Sequence, residues 1–200
     1  MYEKVFGQYL IDLQTTLSRG DAREESFYGC LEKMLLAYAE ASGKKKIAVT
    51  ILPKATDAGN PDFRVWDGKN HITGYIEAKA PHINQLDPIS TSEQLKRYLG
   101  TFPNLILTNF YEFRLYQHGE FVSSVIMARA TNAIYMGKTP PLEHANELCA
   151  LLDRYFSFTL PAITDPKSLA DALARRTRFL RDEILKYELA EEERQGKKVL

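Results

Sequence analysis

Two cysteines, four histidines, one tryptophan and no net charge mark this 200-residue chain by what it has little of. Cys30 and Cys149 lie far apart, each within a helix-like pattern. No disulfide framework replaces a core, and the expectation is two free thiols in a reducing cytoplasm. His71, His82, His118 and His144 share no ligand spacing, and neither cysteine joins them, which removes a zinc site. Apolar runs stop at strand length, too short for a membrane-spanning helix. The first residues, Met1-Tyr2-Glu3-Lys4-Val5-Phe6, lack the apolar stretch of a signal peptide. These absences set the expectation of a cytoplasmic protein with no membrane partner. Twenty-six basic residues balance twenty-six acidic ones (26 and 26). A stand-alone nucleic-acid binder is usually basic, so the balance argues against tight DNA binding by this chain alone. It leaves room for a catalytic module tethered to a domain that makes most of the phosphate contacts. No internal repeat and no low-complexity tract is present.

What is present is an ordinary globular composition, 44% hydrophobic, enough for one domain with a helical extension. Val5, Phe6, Tyr9, Leu10, Leu13 and Leu17 form a helical stripe over residues 2–18. Gly20 fits a stop, and Asp21 suits the cap of a second helix over about 22–42. That helix puts Glu24, Phe27, Leu31, Met34 and Leu35 on one side and ends at Gly43 and Lys44-Lys45-Lys46. Residues 47–53 alternate like a strand, and 57–60 read as a turn. Two strands flank the turn Asp67-Gly68-Lys69-Asn70. A loop over 81–88 leads to a third helix capped by Ser90 or Thr91. Strands follow at 105–108, 113–116 and 121–127, then helices over 142–156 and 166 to about 193. The fold class is therefore α/β: a mixed sheet flanked by helices, layered α/β/α, with a C-terminal helical extension. The expected division is a core over 1–135 and a helical extension over 136–200.

The chemistry concentrates in residues 59–81. Asp62 opens one strand, and Glu77-Ala78-Lys79 lies on the next. Residues two apart in a strand share a face, so Glu77 and Lys79 project together while Ile76, Ala78 and Ala80 face a core. Pairing as a hairpin brings Asp62 beside Glu77. Two carboxylates and a lysine on one sheet edge suit a divalent cation and an attacking water held against a phosphate. Asp62 and Glu77 are the expected metal ligands, with the Ala78 backbone carbonyl as a third. Lys79 stabilises the hydroxide and the developing phosphorane charge, and a depressed pKa would also let it serve as a base.

These residues resemble the PD-(D/E)XK nuclease superfamily. Pro61-Asp62, then Glu77-Ala78-Lys79, matches its catalytic signature, and Gln94-Leu95-Lys96-Arg97-Tyr98 resembles the Gln-x-x-x-Tyr element of some members. More narrowly, Gly59-Asn60-Pro61-Asp62-Phe63, Gly74-Tyr75-Ile76-Glu77-Ala78-Lys79-Ala80-Pro81, Asn104-Leu105-Ile106-Leu107-Thr108-Asn109 and Glu112-Phe113-Arg114 are similar to the N-terminal nuclease module of single-chain restriction–modification enzymes (type IIG or type ISP-like). Glu24-Glu25-Ser26-Phe27-Tyr28 with Leu31 resembles the first helix of that module, where a Glu approaches the metal. The resemblance covers about residues 20–130.

The resemblance implies a type II-like, site-specific deoxyribonuclease that cuts double-stranded DNA. It implies dependence on Mg²⁺, with Mn²⁺ able to substitute, and products with 5′-phosphate and 3′-hydroxyl ends. It implies that Gln94 orients Lys79 or phosphate and that Glu24 is a further metal ligand, with Glu25 and Tyr98 as additional candidates. In that family the module is fused to methyltransferase and target-recognition domains; no Asn-Pro-Pro-Tyr motif or glycine-rich cofactor loop occurs here, so the resemblance implies either a fragment of such a polypeptide or a free-standing relative. The rival expectation is an idle nuclease-fold module used for nucleic-acid binding or assembly. His82 reads as a solvated loop residue, and Trp66 and Tyr75 as core or rim packing rather than base-stacking groups. The basic run Arg175-Arg176, Arg178 and Arg181 reads as a solvated amphipathic face, since Asp182, Glu183, Glu188 and Glu191 follow it.

Overall fold

A computed structural model describes residues 2–44, 46–69 and 71–159, together with the isolated helical residues Ala170, Leu173, Ala174 and Thr177. The expected basic run, the rest of the helix expected over 166–193 and the tail after it lie outside the described residues, as does Asn70 of the expected turn. The chain divides into two compact units, Met1–Thr159 and Leu160–Leu200. In the second, Thr177 Oγ1 donates to the Leu173 carbonyl, a hydrogen bond local to the helix.

The first unit is built on a six-stranded sheet. Helix α1 spans Tyr2–Leu17 and α2 spans Tyr28–Ala41; the strands are β1 Ala48–Ile51, β2 Phe63–Trp66, β3 Ile72–Ala78, β4 Asn104–Thr108, β5 Glu112–Gln117 and β6 Glu120–Ile126. Helices α3 (Asp87–Ser90) and α4 (Glu93–Thr101) connect β3 to β4, and α5 (Ala130–Met136) and α6 (Ala145–Phe156) follow the sheet. The strands lie side by side in chain order. Only β3 and β4 pair in parallel; the other neighbours are antiparallel. A parallel pair needs a crossover, and α3 and α4 supply it. This is the mixed sheet flanked by helices that the alternation of apolar patterns predicts.

Each sheet face has its own core. Phe63, Val65, Ile76, Ala78, Ile106, Phe113 and Leu115 join Phe6, Leu13, Leu31, Leu35 and Leu152 on one side. Leu105, Leu107 and Tyr116 join Leu86, Leu95, Tyr98 and Phe102 on the other. Ala80, expected in the core, is only half-buried because β3 has already ended at Ala78. Both cysteines are free and half-buried. Among the described residues, no helix is long and apolar enough to cross a membrane.

Local chemistry corrects two expectations. Asp21 does not cap the second helix. A 3₁₀ turn over Glu24–Phe27 precedes α2, and it starts from Arg23, whose N–H donates to Ser26 Oγ at 3.1 Å. Ser90 and Thr91 do not cap α4; they close the short α3, and Ser92 Oγ accepts the Leu95 N–H at 3.2 Å. The sequence pattern does not foretell α5, whose 7 residues make too few turns for a helical stripe to show; Gly137, with φ of 62°, ends it.

Candidate active site

The site forms because the β2–β3 register is fixed on both sides. Phe63 opposes Ile76 and Arg64 opposes Tyr75, so continuing by one residue sets Asp62 against Glu77. A buried apolar partner at Phe63 and Ile76 makes a one-residue slip costly, since it would turn both side chains to the other face. The Leu52 N–H binds the Asp62 carbonyl at 2.7 Å and pins the strand start. Gly59, three residues earlier, has φ of 123°, and a Cβ there would meet the Tyr98 ring at 3.3 Å. Only glycine takes that conformation freely, and only its bare backbone lets the loop lie against α4.

Asp62 is held at both oxygens. Oδ2 accepts the Ala78 N–H at 2.8 Å, and Oδ1 accepts the Tyr28 hydroxyl at 2.6 Å. The same hydroxyl lies 3.2 Å from Glu24 Oε1, so one phenol stands between two carboxylates. The Tyr28 ring packs on Phe63 at 4.8 Å and on Phe110 at 6.3 Å. Burial, with Asp62 next, raises the Tyr28 pKa, so the phenol remains a neutral donor.

Glu77 is 2% exposed. Its Oε1 accepts Lys79 Nζ at 2.6 Å and Gln94 Nε2 at 2.9 Å. Among the described residues its buried Oε2 has no hydrogen-bond partner. Burial, then the Asp62 charge, pushes the Glu77 carboxyl up to about 7, against the opposing pull of Lys79. Burial works to lower the Lys79 pKa, but the carboxylates of Glu77, Glu24 and Asp62 outweigh it and leave it raised. The ammonium therefore stays protonated, and a lysine base, conditional on a depressed pKa, does not fit this site. Burial also raises Glu24, with Asp62 adding to it and Lys79 partly offsetting it.

Asp62, Glu77, Lys79, Gln94 and Glu24 thus come together. Gln94 meets Glu77 rather than Lys79, and its amide also donates to the Tyr98 hydroxyl at 3.3 Å. Tyr98 is buried, one helical turn along α4. Glu25 is not in the group. It is exposed, its carboxylate 4.0 Å from Arg23, because successive residues in a turn point apart. His82 is exposed. Sequence reasoning missed Tyr28 as a member; its position four residues after Glu24 is the one signal that pointed to it.

The donors are all hard oxygens, which suits Mg²⁺ or Mn²⁺ better than a soft metal. Among the described residues no group of three or more His, Cys, Asp or Glu is arranged to hold a metal. Mg²⁺ commonly uses one or two protein carboxylates and keeps several waters. Two facing carboxylates, one with an unpartnered buried oxygen, fit such an ion. Lys79 and Gln94 both engage Glu77 Oε1, so Oε2 is left without a donor among the described residues, and a buried polar atom without a partner is unfavourable.

The chain is similar to one solved by cryo-EM in a DrdV–DNA complex, at 24% identity over 80% of this chain, with a TM-score of 0.58. This chain spans 14% of the length of that one. No protein-family model matches it, and neither does any curated protein. The likeness establishes a shared fold.

Proposed function

We propose that this chain is a nuclease module that hydrolyses phosphodiester bonds in DNA with Mg²⁺, or Mn²⁺ in its place. The observation that carries the reading is the buried Glu77 carboxylate, set against Asp62 and joined by Lys79, with one oxygen left unpartnered. Leaving that buried oxygen without a donor is unfavourable, and a bound cation would relieve it. The fold shared with a chain solved in a DNA complex supports DNA as the substrate.

Asp62 and Glu77 would hold the ion, with the Ala78 carbonyl as a third donor and Glu24 at the margin. The bound ion supplies neutralisation of the phosphate charge and a lowered pKa for water. The rest falls to the chain's own groups. Tyr28 and the Ala78 N–H hold the Asp62 carboxylate in one orientation. Gln94 holds Glu77 Oε1. Lys79, kept cationic by its carboxylate neighbours, offers its ammonium to the phosphate oxygens, where negative charge builds as the bond breaks. A protonated lysine serves as an electrostatic stabiliser rather than as a proton acceptor. Restriction-type specificity, and methyltransferase and target-recognition domains in a longer polypeptide, complete the reading. They agree with a chain of zero net charge that spans 14% of its structural neighbour.

Supercoiled plasmid incubated with Mg²⁺ or Mn²⁺ tests the reading. Wild type should nick or linearise it, and Lys79→Ala should lose at least about a hundredfold in rate with an unchanged circular dichroism spectrum. Undiminished cutting by Lys79→Ala sinks the assignment. A wild type that neither cuts nor takes up Mg²⁺ in calorimetry points instead to an idle module.

A further inference from the structure

The face that carries the site has a second row of side chains beside it. Arg64 of β2 opposes Tyr75 of β3 on one side and Thr50 of β1 on the other. This row lies two residues from Asp62 and Glu77 along their strands, roughly 6.7 Å away. The Arg64 guanidinium lies against two rings, 5.8 Å from the centroid of Trp66 and 5.7 Å from that of Tyr75. Both rings are themselves fixed. The Trp66 indole N–H donates to Thr50 Oγ1 at 3.1 Å, and Tyr75 stacks on Phe102 at 3.9 Å.

Arg64 is held in place but not neutralised. Among the described residues its buried Nε has no hydrogen-bond partner, and Nη2 donates to the Lys54 carbonyl at 3.3 Å. It makes no ion pair among the described residues. Arg114, on the same sheet face, is by contrast committed to Glu112 and Asp87. A guanidinium stacked on rings is poorly hydrated on its faces and presents its donors along its edge, the geometry that receives an oxyanion. The rings have already limited its rotamers, so less ordering remains to be done on binding. There is also an electrostatic need. Asp62, Glu77 and Glu24 repel an approaching polyanion, and an uncommitted cation in the next row offsets that repulsion where the strand must run.

We propose that Arg64, braced by Trp66 and Tyr75, binds the phosphodiester that adjoins the one cut, holding a strand of duplex DNA in register with Lys79. This rests on the nuclease reading above. The rings orient the arginine; the arginine reads charge and not sequence, so the contact is independent of base.

Trp66 is the single tryptophan of the chain, so intrinsic emission reports on this row without any substitution in it. Lys79→Ala protein is titrated with a labelled duplex oligonucleotide in Mg²⁺, following anisotropy and Trp66 emission together. The two signals should change with one midpoint. Adding Arg64→Ala should weaken binding roughly tenfold and lower the slope of log affinity on log salt by about one, while Arg64→Lys should keep the slope. Binding that leaves Trp66 emission unchanged overturns the proposal. So does Arg64→Ala with unaltered affinity and slope. The emission test needs no arginine variant, so poor folding of Arg64→Ala does not shelter the idea. Plasmid nicking by wild type, run in parallel, separates the failures: cutting without an Arg64 effect overturns this contact alone, whereas neither binding nor cutting overturns both readings.

Discussion

At the scale of single residues, the site is organised by groups that donate and by one that lacks a donor. The Tyr28 hydroxyl carries a single proton, yet it stands 2.6 Å from Asp62 and 3.2 Å from Glu24. It can donate to only one at a time, and the shorter contact is to Asp62. Removing it with Tyr28→Phe keeps the ring packed on Phe63 and Phe110 but frees Asp62 Oδ1. A hydrogen bond to a charged group contributes about 1.5–3 kcal/mol, so cleavage should fall roughly 10- to 100-fold. Mg²⁺ affinity by calorimetry should weaken in step. A purely packing role for the phenol predicts unchanged metal affinity. Tyr28 was hard to find from sequence because a tyrosine among buried aromatics reads as core; its hydroxyl becomes significant only when β2 brings Asp62 to it.

At the scale of elements, three pieces from distant parts of the chain meet. The β2–β3 hairpin carries Asp62, Glu77 and Lys79, and α4 carries Gln94. The 3₁₀ turn carries Glu24 and leads into α2, which starts at Tyr28. The corner between β4 and β5 supports the third piece. Phe110, at φ of 73°, is held there by its N–H on Thr108 Oγ1, and Asn109 Oδ1 accepts the N–H groups of Tyr111 and Glu112. Its ring lies 5.5 Å from Phe27. The approach of β2 to α4 depends on Gly59. Gly59→Ala places a methyl 3.3 Å from Tyr98 in a conformation unfavourable to any side chain. It should lower stability by about 1–3 kcal/mol, seen as a reduced midpoint in urea. An unchanged midpoint would mean that the loop moves away freely and that Gly59 sets no geometry.

At the scale of the molecule, the site weakens the fold that carries it. The Glu77 carboxyl has an ordinary value of 4.5 and is raised to about 7 when folded. Between those values the folded chain holds a proton that the unfolded chain has released. The stability so gained is full below pH 4.5 and lost as pH rises through 7, in total on the order of 3 kcal/mol. Glu77→Gln does not titrate. In EDTA, its thermal midpoint should therefore gain on that of wild type between pH 5 and pH 8. An equal difference at both pH values would show that Glu77 is not strained by its surroundings. Added Mg²⁺ should stabilise wild type at pH 8 and not the variant, since binding to the folded state alone raises stability.

What the sequence determined by itself was local and periodic. Alternation marked β1, apolar stripes marked α1 and α2, and the strand period put Glu77 and Lys79 on one face. The spacing Asp62 to Glu77 to Lys79 across a turn brought the carboxylates together, because a short hairpin leaves few registers. Tertiary structure decided whatever depends on contacts between distant segments. It separated Glu24 from Glu25, drew Tyr28 onto Asp62, and turned Gln94 toward Glu77 instead of Lys79. It also set the charge state of Lys79. A pKa is set by burial and by the charges that surround a group, and those come from three elements that no local pattern connects.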